Sequence, residues 1–149
     1  MERDDLTNYL NTLLKVDEFK DYCPNGLQIE GNKRVNKIAF SVSATKDSIT
    51  KAAAQKADTL IVHHGLFWHF HGTRPLTGPF FKRVRPLVKN DMNLYGFHLP
   101  LDAHIEHGNA AALAKKLDLV IDGPFGDYKG CPTGVKASFK DKINGADFK

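Results

Sequence analysis

All seven histidines of this chain fall between positions 63 and 107, and that crowding is its strongest chemical signal. They form two groups: His63, His64, His69 and His71, then His98, His104 and His107, with Asp102 inside the second. Imidazole and carboxylate are the ligands of divalent Zn, Fe, Mn, Ni or Co. In VHHG two imidazoles stand on adjacent residues, whose side chains would point to opposite faces of a regular strand. Gly65 lets the backbone turn there, so both rings can reach cations a few ångströms apart, as in a two-metal centre. A pair of solvated loop histidines would explain HHG alone equally well.

HLPLDAH changes that balance. It adds His98, Asp102 and His104 in a loop stiffened by Pro100, and a carboxylate can bridge two cations. The residues read as a site for divalent metal ions, with His63, His64 and Asp102 among the donors on offer. Two cations so held would lower the pKa of a water and polarise a scissile carbonyl, amidine or phosphoryl group. His98 is the intermediate case, a ligand or a residue that orients Asp102 or a metal-bound water; in a hydrolysis it is the candidate catalytic residue, as a proton shuttle. His69 and His71 flank Phe70 in an aromatic loop and read as exposed or as partners of ligands. His104 and His107 approach the next helix, and His107 reads as solvated.

Other chemistries find no support. Cys23 and Cys131 each lie beside a proline, with no local motif pairing them to a histidine. One disulfide is possible on paper, but nothing suggests a stapled secreted scaffold. GxSxG, Walker and GxGxxG motifs are absent, which removes nucleotide-loop chemistry.

The elements that must carry these residues are legible in outline. Leucines 6, 10, 13 and 14 predict an amphipathic helix over 3–15. KVDEFKDYCPNGLQIEG is rich in turn formers, with the strongest signal at Pro24, Asn25 and Gly26. KIAFSVS (37–43) reads as a buried strand, and Thr45 stands where a helix cap belongs, ahead of a helix to about Lys56. DTLIV (58–62) is a second strand ending at His63. LFWHFHGTRPLTGP reads as loop, residues 80–89 as a helix that Pro86 interrupts, and NLYGF (93–97) as a third strand. A helix over 109–117 and a fourth strand, LDLVI, follow, with a weak strand pattern in VKASF. Strands alternating with helices predict an α/β fold with a mostly parallel or mixed sheet. Ligand sites in such sheets lie beyond the carboxyl ends of the strands, so the two histidine groups should converge.

With 149 residues, 42% hydrophobic and 26% charged, the chain suits one globular domain. The net charge of +4 is spread over 21 basic and 17 acidic residues rather than massed. A solvated basic surface is therefore favoured over a nucleic-acid footprint. MERDDLTNYL lacks the apolar stretch of a signal peptide, and no run is long enough to span a bilayer. The expectation is a cytoplasmic protein with no membrane partner. INGADFK offers no closing element, so the sequence looks cut short.

Three motifs together resemble one family. DYCPNGLQIEG (21–31), VHHGLFW (62–68) and NLYGFHLPLDAH followed by Gly108-Asn109 are similar to the NIF-three-like dinuclear metal-centre family, whose members are also called GTP cyclohydrolase I type 2 homologues. The resemblance implies an α/β fold of two similar halves and assembly as a toroidal homohexamer. It also implies a dinuclear centre with His63, His64 and Asp102 as ligands, with His98 lining the same cleft. The implied activity is metal-dependent hydrolysis of a small molecule. Family members are longer, and their second half supplies a further histidine and glutamate. Here no histidine follows His107 and no glutamate follows Glu106. The chain then corresponds to the N-terminal part of the protomer, with weak or partial metal occupancy expected. Two rival readings remain: a non-catalytic metal adaptor or chaperone, suggested by LFWHFH, and nucleic-acid binding inside a toroid, suggested by the basic balance.

Overall fold

The computed structural model describes residues 1–146. Where the sequence reads as one domain, contacts group the chain into two compact units, Met1–His98 and Leu99–Lys149. In the first unit the elements run α1 (Arg3–Leu13), β1 (Gly26–Ile29), β2 (Ile38–Ser43), α2 (Lys46–Ala54), β3 (Thr59–His64), α3 (Gly78–Lys89) and β4 (Asn93–Gly96). They build one four-stranded sheet in the order β1-β4-β3-β2. The pairs β2–β3 and β3–β4 are parallel, and β1 lies antiparallel against β4. The sheet is therefore mixed, as the alternation of strands and helices predicts.

Local chemistry explains the element ends. The Thr45 hydroxyl accepts the Ser48 amide at 3.1 Å while the Ser48 hydroxyl accepts the Thr45 amide at 3.0 Å, a reciprocal cap that starts α2. Pro79 lies in the first turn of α3, where its missing N–H is harmless. The helix continues through Pro86. What holds it there is burial of Phe80, Val84 and Leu87 on one stripe.

That stripe meets Ile49 and Ala52 of α2, Leu60 and Val62 of β3 and Leu94 of β4 in one core. Each large apolar side chain contributes about 1.5–3 kcal/mol relative to its exposed state, so β3 is anchored in this core through Leu60 and Val62. Its last two residues are His63 and His64. On α1, Leu6 is buried and the Thr7 hydroxyl lies 2.7 Å from that of Tyr95, on β4.

Sequence reading misses β1, because GLQI is short and follows a strong turn signal. Its register is set by Asn93, a fully buried amide at the start of β4. The Asn93 carbonyl accepts the Gly31 amide at 2.9 Å, and its NH2 donates to the Asn32 carbonyl at 2.9 Å and the Thr59 hydroxyl at 3.3 Å.

The second unit holds α4 (Leu99–Ala103), α5 (Asn109–Lys116), β5 (Leu119–Phe125) and β6 (Gly134–Phe139). The segment read as a Pro-stiffened loop is α4, a short helix that admits Pro100 in its first turn. The strand read at LDLVI is β5, which pairs antiparallel with β6 in a sheet of its own. Its partner is the weak VKASF pattern. Part of INGADFK lies outside the described residues. Among the described residues no helix is long and apolar enough to cross a membrane.

Replacing Asn93 with Ala strands the Gly31 amide and the Asn32 carbonyl. It should cost about 2–3 kcal/mol, read as a lower urea midpoint with unchanged slope. A midpoint equal to that of the wild type would remove Asn93 from the account of β1.

Candidate metal centre

His63 and His64 close β3, which runs on through both rather than turning after Val62. Their rings nevertheless meet, with centroids 4.4 Å apart. Each leans on a different neighbouring strand. Nδ1 of His64 lies 3.0 Å from the hydroxyl of Ser43, its register partner at the end of β2. Nδ1 of His63 lies 3.0 Å from the Phe97 carbonyl, just past β4. One residue further, His98 brings its ring centroid to 4.9 Å from that of His63 and 5.8 Å from that of His64. One ring nitrogen from each of the three lies within 4.8 Å of the others, and all three residues are half-buried. Parallel strands that end together thus place three imidazoles at one point.

The partners dictate the tautomers. A backbone carbonyl can only accept, so the His63 Nδ1 carries the proton. His98 Nδ1 lies 2.8 Å from Oδ1 of Asp21, and an ionised carboxylate likewise only accepts. In both rings Nε2 is then the nitrogen with a lone pair. For His64 the Ser43 hydroxyl can play either part. Three imidazoles with Nδ1 engaged by the protein match what Zn, Ni, Co or Fe takes from histidine, so the donor set fits a divalent cation.

The segment 21–31 is the brace. The Asp21 side chain is only 2% exposed, and its other oxygen accepts from the Asn25 amide at 2.9 Å. The Asn25 carbonyl in turn accepts the His98 backbone amide at 2.7 Å. His98 is thereby held by both ring and backbone. Gln28, on β1, accepts the Leu66 amide at 2.8 Å and donates to the Pro24 carbonyl at 2.8 Å. It fits there because Gly65 and Gly96 have no side chains: a Cβ on Gly65 would overlap the Gln28 amide, and one on Gly96 would come within 2.7 Å of it. Cys23 is buried, and burial followed by the Asp21 charge pushes its thiol up to about 12. A thiol so protonated is no nucleophile at neutral pH. Neither cysteine is in a disulfide.

The Duf34/NIF3 (NGG1p interacting factor 3) family profile matches residues 1–149. The chain belongs to this family. It is 44% identical over 141 residues to a GTP cyclohydrolase 1 type 2 homolog of Pyrococcus abyssi, covering 95% of this chain and 56% of the relative. A homolog of the same name from Deinococcus radiodurans is 43% identical, covering 98% and 55%. Among solved structures, TTHA1606 from Thermus thermophilus superposes with a TM-score of 0.80 at 43% identity, covering 84% of this chain and 51% of that one. Reduced HcgD from Methanocaldococcus jannaschii gives 0.73 at 26%, covering 88% and 52%. The chain spans about half the length of the Duf34/NIF3 relatives it matches.

Of the residues singled out in the sequence, the structure brings together His63, His64 and His98. Asp102 lies on α4 of the second unit, half-buried, and accepts from the Asn109 amide at 2.6 Å. His69 and His71 lie exposed on a short 3-10 turn. His104 and His107 stack on one another at 4.9 Å in the second unit. Asp21, Asn25 and Gln28 escape residue-by-residue reading. Their signal is the DYCPNGLQ motif, noticed for its family resemblance and not for its hydrogen bonds.

Nitrogen-15 NMR of the metal-free chain at neutral pH should show the Nδ1–H tautomer at His63 and His98. Asp21→Ala should let His98 redistribute toward Nε2–H while His63 stays fixed. An Nε2–H resonance at His98 in the wild type would contradict the assignment.

Proposed function

We propose that this chain binds divalent metal ions at a dinuclear centre and serves metal-dependent hydrolysis of a small molecule. His63 and His64 hold the metal through Nε2. Asp102 joins them as a ligand on the strength of its place in HLPLDAH. The observation that carries the reading is the meeting of three imidazoles whose Nδ1 atoms are engaged by the protein. The name of the curated relatives, GTP cyclohydrolase 1 type 2 homolog, points by homology to the same reaction class. Assembly as a hexameric toroid belongs to the same proposal.

Bound cations would supply Lewis acidity toward a carbonyl, amidine or phosphoryl oxygen and acidify a water at neutral pH. The chain's own residues handle the proton. His98 Nε2 accepts it from the attacking water as the new bond to oxygen forms, then returns it to the leaving group as the scissile bond breaks. Asp21, at 2.8 Å from Nδ1, holds the ring in register and stabilises its cationic form. A side chain in this role contributes about 10²–10⁴-fold in rate.

A second reading is favoured by the 4.8 Å grouping: His98 is itself the third nitrogen donor. One variant separates the two. Under the first reading, His98→Ala keeps zinc stoichiometry and loses about 10²–10⁴-fold in kcat; under the second it loses zinc. His63→Ala and His64→Ala lose zinc under both, as read by calorimetry and elemental analysis. Across a panel of phosphoesters, cyclic amides and nucleotides, turnover should disappear with EDTA and return with metal. Turnover indifferent to metal removal would end the hydrolase proposal.

A further inference from the structure

Next to the three histidines lies a cavity of about 450 Å³ that the metal chemistry does not use. That is the size of a site for a small organic molecule. Its apolar wall is Pro24, Leu66, Phe67 and Trp68, and its rim carries His71 and Arg74. Trp68 belongs to both places. Its ring lies edge-to-face on His98 at 5.2 Å and 6.0 Å from His64. A flat molecule against Trp68 is therefore beside the metal centre.

The rim presents donors. Nη1 of Arg74 lies 3.2 Å from Nδ1 of His71, and because a guanidinium only donates, Nδ1 accepts. The His71 proton then sits on Nε2, a second N–H beside the guanidinium. Arg74 packs 4.2 Å over the Phe80 ring, with Arg83 at 5.9 Å from the same ring. This cation–π contact positions the charge without neutralising it. Among the described residues no carboxylate lies within 4 Å of either guanidinium. Both arginines are half-buried. Arg74, an uncompensated cation, and the His71 imidazole N–H at one end of an aromatic cavity are complementary to an anion, with Arg83 a further positive charge nearby at the Phe80 ring.

We infer that this cavity binds the substrate of the neighbouring centre, a planar aromatic compound whose ring lies along Trp68 and whose phosphate-type group meets Arg74 and His71. The inference rests on the metal reading only in calling the ligand a substrate. Binding itself is testable without metal.

Trp68 is the sole tryptophan, so its fluorescence reports this cavity. The metal-free chain is titrated with benzylphosphonate, which hydrolysis does not cleave, and with methylphosphonate and benzyl alcohol, each carrying half of its features. Benzylphosphonate should quench Trp68 saturably and bind about tenfold or more tighter than either. Arg74→Gln should lower that affinity about tenfold and leave benzyl alcohol unaffected. Because Arg74 also packs on Phe80, the exposed His71 supplies a second variant, His71→Leu, which should weaken benzylphosphonate in the same direction. Equal affinities for the three probes, or wild-type binding in both variants, would overturn the inference. A zinc isotherm on the same proteins keeps the two readings apart. Zinc binding without benzylphosphonate binding sinks the cavity proposal alone. Benzylphosphonate binding in a chain that takes no zinc sinks the metal reading and leaves the cavity as a binding site.

Discussion

An imidazole has two nitrogens, and a protein that hydrogen-bonds one of them decides which way the other faces. In this Duf34/NIF3 chain that choice is made at all three clustered histidines, by the Phe97 carbonyl, the Ser43 hydroxyl and the Asp21 carboxylate. Three partners of different chemistry aim three rings at one point. Two of them can only accept a hydrogen bond, which fixes the tautomer electrostatically as well as geometrically. Under the proposed function, that arrangement is what would receive a cation.

The fold supplies this arrangement through parallel strands. β2, β3 and β4 end side by side, so Ser43, His64 and Phe97 come from neighbouring chain segments without any long loop to position them. The core beneath β3 resists displacement of its two terminal histidines, since Leu60 and Val62 sit in the same packed layer as Leu94. What strands cannot supply is the placement of His98, beyond the last ladder bond of β4. The antiparallel β1 brings Asp21, Asn25 and Gln28 to that edge, and Gln28 occupies space that Gly65 and Gly96 leave open. A short and atypical strand thus matters because of what precedes it in sequence.

How much of this was legible in the sequence follows from range. The helix cap at Thr45, the apolar runs of β2, β3 and β4 and the helix at Asn109 are local patterns, and each element is found where its pattern lies, although β2, read as buried, is an edge strand with Phe40 and Val42 exposed. Pairing His63 with His64 needed only adjacency, and adding His98 needed only the rule that sites lie beyond strand ends. Asp21 is 77 residues from His98 and Gln28 is 38 from Leu66, and no periodicity connects residues so far apart. Pro100 misled in the opposite way: a residue that breaks helix interiors is at home in a first turn, so α4 read as loop. The strands at LDLVI and, weakly, at VKASF are both legible, but their pairing is not. A strand's sequence states its period and not whom it pairs with, so β5 could not be assigned to a separate sheet with β6.

The most direct test is anomalous diffraction from zinc-loaded crystals of this chain. Two zinc peaks a few ångströms apart are expected, with Nε2 of His63 and of His64 each about 2.0–2.1 Å from zinc and their Nδ1 atoms still on Phe97 and Ser43. Zinc on Nδ1 of either ring, or a peak remote from all three imidazoles, would contradict this arrangement.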